Sequence, residues 1–154
     1  MQTIRHLLLY EPPLRKTMNK SGPIVIIDDD TDDQELLREL FSDLKLNNEV
    51  CIFPDGESAI EFLSTSDAHP FLIVSDIKMP KMDGFELRNL LSGISETLRL
   101  TPFVFFTTGS TPQVLNHAYS LSVQGIFQKP VRYAHWKETV QNIIQYWSSC
   151  MTPA

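Results

Sequence analysis

Five short apolar runs recur along the chain, and they constrain its fold more than any other feature of the sequence. They occupy residues 24–27, 50–53, 71–74, 103–106 and 126–127. Four of these runs are continuous and do not alternate with polar residues, which is typical of strands buried on both faces of a parallel sheet. The pattern therefore predicts five strands in one parallel sheet.

Each run is followed by a segment whose apolar residues repeat at helical spacing. These stripes are Leu36, Leu37, Leu40, Phe41 and Leu44; Ala59, Ile60 and Leu63; Leu87, Leu90, Leu91 and Ile94; Leu115, Ala118 and Tyr119; and Trp136, Val140, Ile143, Ile144 and Trp147. Asp32 or Asp33 can cap the first helix, and Pro112 suits the first turn of the fourth. We interpret Tyr119, Trp136 and Trp147 as packing residues. Five repeats of a strand followed by a helix predict a doubly wound α/β domain.

The length of 154 residues fits one domain of ordinary size. We predict a domain over residues 22–148, an N-terminal tail over 1–21 that we expect to be flexible, and a C-terminal tail over 149–154. Met18 is a candidate for the true initiator. No run approaches the 18 or so apolar residues that span a bilayer, and the apolar patch at residues 7–10 is too short for a signal peptide. We therefore expect a cytoplasmic protein that does not bind membranes.

The charge and the cysteines exclude two further classes of site. A formal net charge of −6 argues against sequence-independent binding of nucleic acid phosphates. Cys51 and Cys150 have neither CxxC spacing nor a histidine partner at metal-ligand spacing. We therefore expect reduced cysteines, no zinc site and no binding of nucleic acid.

Polar groups follow four of the five apolar runs directly. These groups are Asp28-Asp29-Asp30, Ser75-Asp76, Thr107-Thr108-Gly109 and Gln128-Lys129-Pro130. In open α/β sheets ligands bind beyond the carboxyl ends of the strands, so all four groups are expected to meet at one edge. Three of these groups are ordinary when taken alone, because an acidic helix start, a strand threonine and a surface lysine are common. Asp76 is harder to dismiss, because an unpaired carboxylate directly against a buried strand is costly. Their joint occurrence at the strand ends indicates a site.

The chemistry of this set is that of phosphoryl transfer. Carboxylates from the first and third strands would repel each other unless they bind a proton or a cation. All-oxygen surroundings with few protein ligands suit Mg²⁺, which commonly bridges carboxylate to phosphate. A lysine and a hydroxyl at the neighbouring strand ends can pair with phosphoryl oxygens.

The motifs at these strand ends resemble the receiver domains of two-component response regulators, over roughly residues 23–147. The matching stretches are Ile26-Ile27-Asp28-Asp29-Asp30, the run D-x-x-M-P-x-M-D-G over residues 76–84, Phe106-Thr107-Thr108 and Lys129-Pro130. Asp-Asp-Gln-Glu-Leu-Leu after the first strand, Thr-Thr-Gly after the fourth and Tyr146-Trp147 are similar to small single-domain regulators, including partners of phytochrome-type histidine kinases. The resemblance implies a flavodoxin-like sheet of order 2-1-3-4-5 with five helices.

The resemblance also implies an aspartyl phosphate and a metal site. Asp76 corresponds to the phospho-acceptor of the family. Asp29 corresponds to the direct Mg²⁺ ligand, and Asp28 to a ligand that acts through water. With Asp76, the backbone carbonyl of Lys78 would complete the protein ligands, although a lysine at this position is unusual in the family.

Two further residues match the switch of the family, and one position departs from it. Thr107 corresponds to the switch hydroxyl, and Lys129 to the phosphate-pairing lysine, with a cis peptide expected between Lys129 and Pro130. Many receivers carry an aromatic residue three positions before this lysine, where this chain has Ile126. Phe127 is adjacent, but strand alternation turns it to the opposite face. The output face is therefore expected to switch differently from that of many relatives.

A calcium loop of the EF-hand type is a competing interpretation of the first acidic run. Asp28, Asp30, Asp32 and Glu39 fall at loop positions 1, 3, 5 and 12. Position 6 is Asp33, however, where the sharp turn needs glycine, and a strand precedes the loop where the motif needs a helix. Calcium affinity far above magnesium affinity would favour the calcium loop.

A phosphatase and a degenerate receiver would both keep the predicted α/β fold class. A haloacid-dehalogenase-like phosphatase would need Thr or Val at position 32, which is Asp32, and room for a cap domain. A degenerate receiver would act as a binding module without phosphorylation, which the intact set of site residues argues against. The sequence contains no P-loop, and none of its four histidines can be assigned to a catalytic triad.

These observations favour a signalling protein over an enzyme. We expect at most self-phosphorylation from small donors and autodephosphorylation. The expected partners are a histidine kinase or phosphotransfer protein upstream and an unidentified protein target downstream. A homodimer through the last helix is a further expectation, because Tyr133, Trp136, Tyr146 and Trp147 offer more aromatic area than one face needs.

Overall fold

The computed structural model describes residues 20–65, 67 and 69–151, and it contains one parallel sheet flanked by helices. The strands are β1 (Ile24–Ile27), β2 (Val50–Phe53), β3 (Leu72–Asp76), β4 (Phe103–Thr107) and β5 (Gly125–Gln128). All neighbouring pairs are parallel, and the order across the sheet is β2-β1-β3-β4-β5. The predicted fold class and strand order are confirmed. The greater part of the N-terminal tail predicted for residues 1–21 lies outside the described residues.

The described residues form six helices, one more than predicted, and each strand is followed by at least one of them. They are α1 (Thr31–Leu44), α2 (Gly56–Thr65), α3 (Gly84–Ile94), α4 (Glu96–Leu100), α5 (Pro112–Ser120) and α6 (Tyr133–Ser149). The sequence does not predict the short α4, because its five residues are too few for a periodic pattern. Ser95 ends α3 in an extended conformation, and its side chain accepts a hydrogen bond from the N–H of Leu98 to begin α4.

The start of α1 differs from the prediction by two to three residues. The cap is Asp30, whose side chain accepts hydrogen bonds from the N–H groups of Asp32 and Asp33. Asp30 takes the cap because it is the last residue with an extended backbone before the helix. Asp32 and Asp33 therefore belong to the first turn of α1, and their side chains remain available for other contacts. The placement of Pro112 in the first turn of α5 is confirmed.

Two apolar layers enclose the sheet, one on each face. Ile24 and Ile26 contact the layer beneath α1 and α6, whereas Val25 and Ile27 contact the layer beneath α2, α3 and α5. Both faces of β1, β3 and β4 are buried, as the continuous apolar runs predict. Burial of each large aliphatic side chain contributes about 1.5–3 kcal/mol, so these two layers hold the strand ends in a fixed arrangement.

Three residues of the predicted apolar stripes are exposed. Tyr119 is 55% exposed, Leu90 49% and Ile94 41%, so the interpretation of Tyr119 as a packing residue is wrong. Successive residues of a helix lie about 100° apart, and it is the adjacent Ala118 that faces the sheet. Leu90 is likewise turned away beside the buried Leu91. Trp136 is buried, and Trp147 packs at the margin of the core, as predicted.

A buried arginine joins the middle of α3 to the ends of two other helices. Arg88 in α3 is 2% exposed, and its guanidinium donates to the carbonyl oxygens of Leu121, Ser122 and Arg99, each at 3.3 Å. The guanidinium carbon lies 5.2 Å from the centre of the Phe103 ring. Burial lowers the pKa of Arg88 from its ordinary value. Arg88 thus ties α3 to the carboxyl ends of α4 and α5.

Candidate functional site

Three carboxylates meet at the carboxyl edge of the sheet. Asp28 and Asp29 follow β1, Asp76 ends β3, and carboxylate oxygens of the three residues lie within 4.8 Å of one another. Neighbouring strands bring them together, because Ile27 pairs with Ser75 in the ladder between β1 and β3. Asp28 and Asp76 are buried, whereas Asp29 is exposed. The cluster is therefore open to solvent at one side, and its donor set is that of a site for a hard divalent cation.

The two buried carboxylates are each held in a fixed orientation. Oδ1 of Asp28 accepts from the N–H of Asp30 at 2.9 Å, and Oδ1 of Asp76 accepts from the N–H of Ile77 at 2.7 Å. Gln34 of α1 donates to the carbonyl oxygen of Asp28 at 2.6 Å. These bonds leave Oδ2 of both carboxylates directed at a common partner.

That partner is Lys129, directly after β5. Its Nζ lies 2.8 Å from Oδ2 of Asp28, 2.7 Å from Oδ2 of Asp33 and 2.9 Å from Oδ2 of Asp76. Burial opposes the charge on Lys129, but hydrogen bonds to the three carboxylates outweigh it and raise the pKa of the ammonium above its ordinary value. Lys129 is thus an ammonium at neutral pH, with three carboxylate oxygens around its Nζ to accept its three hydrogens.

The carboxylates of the site outnumber the single ammonium of Lys129, so the site favours binding of a proton or a cation. Burial raises the pKa of Asp28 from 3.8 to about 6, and the charge of Asp76 adds to the effect, although hydrogen bonds from Lys129 and Asp30 act in the opposite direction. Both groups retain protons in a site whose carboxylates outnumber its cations, Asp28 chiefly because it is buried and Lys129 because three carboxylates accept its hydrogen bonds. A divalent cation bound to the cluster would remove this excess.

Thr107 ends β4 one residue beyond Phe106, which pairs with Asp76 in the ladder between β3 and β4. Its side chain is buried, and its hydroxyl donates to the carbonyl oxygen of Gly109 at 3.2 Å. The carbonyl oxygen of Thr107 accepts from the N–H of Lys129 at 2.7 Å. Thr107 and Lys129 are therefore neighbours at the same edge of the sheet, as predicted.

Two expectations near the site have different outcomes. No cis peptide occurs in the described part of the chain, so the expectation of a cis bond between Lys129 and Pro130 is wrong. Trans is the isomer that X–Pro bonds favour by about 0.5–1 kcal/mol, and in this form the carbonyl of Pro130 accepts from Nε1 of Trp136 at 2.6 Å. The side chain of Lys78 is exposed, and the role of its carbonyl as a metal ligand stays a prediction.

Asp33 is the site residue that the sequence did not indicate. The sequence offers it as a helix cap and as a mismatch to the calcium loop, yet its carboxylate makes the shortest of the three ion pairs with Lys129. The available signal was its place in the helix that follows β1, because the first turn of that helix begins at the same edge of the sheet. The cap at Asp30 decides which acid of the run faces Lys129.

The loop after Asp76 is closed by a hydrogen bond from a glycine at its far end. The N–H of Gly84 donates to the carbonyl oxygen of Ile77 at 2.8 Å, and Asp83 caps α3. A Cβ atom at Gly84 would overlap the backbone oxygen of Asp76 and would lie 2.7 Å from Cε1 of Phe105. Glycine is required here because α3 approaches the end of β3 so closely.

The position that carries an aromatic residue in many receivers is aliphatic in this chain. Ile126 is half-buried and packs against the layer beneath α5, whereas Phe127 packs on the opposite face of the sheet against Phe106. The predicted alternation of Ile126 and Phe127 is confirmed. Phe127 does not substitute for the missing aromatic side chain on the face of Ile126.

Similarity to known proteins agrees with this geometry. Response regulator Rcp1 of Synechocystis sp. is 27% identical over 141 residues, which cover 87% of this chain and 94% of Rcp1. The crystal structure of the phosphorylated cyanobacterial phytochrome response regulator RcpA matches with a TM-score of 0.78 and 25% identity, covering 86% of this chain and 99% of RcpA. The Mn²⁺-bound form of Rcp1 matches with a TM-score of 0.75 and 26% identity, covering 86% and 99% of the two chains.

The described residues include no helix long and apolar enough to cross a membrane.

The family model of the response regulator receiver domain matches residues 24–141, which include all five strands, α1 to α5 and the whole carboxylate and lysine cluster. The chain therefore belongs to the receiver domains of response regulators, the phosphorylation-linked family of two-component signalling, and is similar to its phytochrome-associated members.

Proposed function

We propose that this chain is a single-domain receiver that accepts a phosphoryl group on Asp76 with the help of Mg²⁺. The observation that carries the proposal is the contact of Oδ2 of Asp76 with Lys129 at 2.9 Å, beside the carboxylates of Asp28 and Asp29. A buried carboxylate that is oriented, paired with one ammonium and placed next to two further acids is suited to phosphoryl transfer. The phosphorylated state of RcpA and the metal-bound state of Rcp1 support the same assignment.

The residues present fit a divalent cation, because three carboxylate oxygens converge where few other ligands compete. Asp28, Asp29, Asp76 and the carbonyl of Lys78 would hold Mg²⁺, which would neutralise charge on the entering phosphoryl group. Asp76 supplies the nucleophilic oxygen. Its bond to phosphorus forms as the bond from phosphorus to the donor's leaving group breaks, and the leaving group departs with that electron pair.

Lys129 and Thr107 act on the phosphoryl group once it is attached. Lys129 loses the carboxylate charge of Asp76 as a partner and pairs with a phosphoryl oxygen at the same place. The hydroxyl of Thr107 gives up the carbonyl oxygen of Gly109, its present acceptor at 3.2 Å, and donates to a second phosphoryl oxygen. Bonds of this charge-assisted kind are about twice as strong as neutral ones, so both residues are drawn towards Asp76.

The proposed partners follow from this chemistry. A histidine kinase or phosphotransfer protein supplies the phosphoryl group, and an unidentified protein target reads the surface formed by β5 and the helices beside it. We propose no enzymatic turnover beyond self-phosphorylation from small donors and autodephosphorylation. The cytoplasm is the proposed location, since kinases of this type phosphorylate their receivers there.

A homodimer through α6 is a further part of the proposal. Tyr146 is 61% exposed and Tyr133 38% exposed, whereas Trp136 is buried in the core. The outward aromatic area therefore comes from the two tyrosines, a smaller area than the sequence suggested. Sedimentation at several concentrations tests the assembly, and Tyr146→Ser should shift the equilibrium towards monomer. A monomer at all concentrations would contradict it.

The direct test of the proposed function is phosphorylation by acetyl phosphate, read by intact mass. Wild type should gain one phosphoryl group in the presence of Mg²⁺ and none in the presence of EDTA. Asp76→Asn should gain none, whereas the control Asp32→Asn, which removes an exposed carboxylate of α1, should behave as wild type. A wild type that gains no phosphoryl group with saturating donor and metal would instead indicate a binding module that works without phosphorylation.

A further inference from the structure

Lys129 has one acidic partner that the proposed chemistry does not use. Asp28 and Asp76 belong to the cluster of carboxylates that can hold a metal ion, but Asp33 does not. Its Oδ2 nevertheless lies 2.7 Å from Nζ of Lys129, compared with 2.8 Å for Asp28 and 2.9 Å for Asp76. The three acceptors of the ammonium therefore fall into two kinds, two that can also bind the metal and one that cannot.

Binding of metal and phosphoryl group changes only the first kind of acceptor. A divalent cation draws on the oxygens of Asp28 and Asp76, and phosphorylation replaces the carboxylate charge of Asp76 with a phosphoryl oxygen that Lys129 must then meet. Both changes weaken the hold of these two residues on Lys129. Lysine is a point charge on a flexible four-carbon stem, so an ammonium that loses two of its three partners is free to leave its place.

The backbone of Asp33 is fixed at the start of α1, beside Lys129. It lies in the first turn of α1, and its N–H donates to Oδ1 of Asp30 at 3.1 Å. Its side chain is 24% exposed, while that of Lys129 is 5% exposed, so the pair is largely shielded from solvent. An ion pair of this kind is screened less than one at the surface.

We infer that Asp33 is a positioning residue for phosphoryl transfer, which keeps the ammonium of Lys129 beside Asp76 while Asp28 and Asp76 exchange it for metal and phosphoryl group. The inference rests on the proposed function of Asp76. The carboxylate of Asp33 pairs with Lys129 and is not part of the carboxylate cluster that can hold a metal ion, so Asp33 would act through Lys129. Its loss should therefore impair phosphorylation without a matching loss of metal affinity.

The test compares Asp33→Ala and Asp33→Asn with the control Asp32→Ala. Asp32 lies in the same turn, is exposed, and forms no ion pair with Lys129 in the described structure, so the control removes one acidic charge and no contact to the lysine. We measure the rate constant of phosphorylation by acetyl phosphate and the Mg²⁺ dissociation constant by titration calorimetry. The Asn variant retains the shape of the side chain if the Ala variant folds poorly.

Asp33→Ala should phosphorylate about tenfold more slowly than Asp32→Ala, because a displaced lysine no longer meets the reacting group. The Mg²⁺ dissociation constants of the two variants should agree within about twofold. Asp33→Glu, which restores the carboxylate, should recover most of the rate. The ammonium resonance of Lys129, assigned with Lys129→Arg, should remain visible by NMR in Mg²⁺-loaded wild type and in Asp32→Ala, and should disappear in Asp33→Ala.

Two results would overturn the inference alone. Equal phosphorylation rates in Asp33→Ala and Asp32→Ala, with wild type phosphorylated normally, would show that Asp33 does not position Lys129. A Mg²⁺ affinity in Asp33→Ala as low as that of Asp29→Asn would make Asp33 a metal ligand instead. A wild type that takes no phosphoryl group would overturn the proposed function and this inference together.

Discussion

The buried carboxylate of Asp28 should destabilise the metal-free protein at neutral pH. Burial raises the pKa of this group from 3.8 to about 6 in the folded state. An acid with a raised folded pKa binds more protons when folded than when unfolded, so the free energy of unfolding falls as pH rises between these two values. Each unit of pKa difference is worth about 1.4 kcal/mol, and ionised Asp28 therefore costs the fold about 3 kcal/mol above pH 7.

Asp28→Asn removes this cost because the amide carries no charge. In EDTA at pH 8 we expect the variant to unfold with a free energy up to about 3 kcal/mol higher than that of wild type. At pH 4 the folded wild type is protonated at Asp28, and the gap should shrink to below about 1 kcal/mol. Urea unfolding followed by circular dichroism measures both values.

Magnesium should largely close the stability gap between the two proteins at pH 8. Ligand at about 100 times its dissociation constant stabilises a folded protein by about 2.7 kcal/mol. Wild type should gain this amount, whereas Asp28→Asn should gain little because it lacks one carboxylate of the cluster. The control Asp32→Asn removes an exposed charge and should change stability by less than about 0.5 kcal/mol.

Two outcomes would refute the reasoning. If Asp28→Asn unfolds more easily than wild type at pH 8 in EDTA, the ion pair of Asp28 with Lys129 outweighs desolvation. A gap between the two proteins that stays constant from pH 8 to pH 4 would show that Asp28 does not titrate in this interval. Either result would also remove the electrostatic argument for cation binding.

Three further predictions concern packing around the site. Gly84→Ala should lower the free energy of unfolding by about 1–3 kcal/mol in urea, because its Cβ would overlap the backbone at Asp76, and an unchanged stability would contradict the close approach. Arg88→Met should cost about 3 kcal/mol in the same assay, since three carbonyl oxygens lose a charged donor, and a cost below about 1 kcal/mol would show that they find other partners. Tryptophan fluorescence should change on phosphorylation, and the change should persist in Trp147→Phe and vanish in Trp136→Phe, whose indole bonds the residue after Lys129.

Most of the site could be predicted because strands impose a simple rule. A continuous apolar run between helical segments becomes a strand of a parallel sheet, and the one or two residues after the run lie at the carboxyl edge. This rule places Asp28, Asp76 and Lys129 together without any knowledge of side-chain contacts. It does not place Asp33, because the position of a helical residue depends on the residue at which the helix begins.

The errors have the same physical origin. In a run of adjacent acids, the backbone conformation of Asp30 decides which residue caps α1 and which faces the lysine. In a helical stripe, one step along the chain turns a side chain by about 100°, which separates the exposed Tyr119 from the buried Ala118. Periodicity identifies the helix but not the rotation at which it meets the sheet.

The contacts of Lys129 show how a receiver without an aromatic residue at position 126 can still connect its site to an outer helix. The ammonium of Lys129 binds the acids of the site, and its backbone N–H binds the carbonyl of Thr107 at 2.7 Å. The next residue, Pro130, accepts a hydrogen bond from Trp136 of α6, whose ring stacks on Phe106 with 5.4 Å between centres. Phe106 in turn pairs with Asp76 across β3 and β4. A change of partner at the ammonium of Lys129 therefore acts on the residue directly before Pro130, which is hydrogen-bonded to α6. This contact lies on the face of the sheet opposite Ile126.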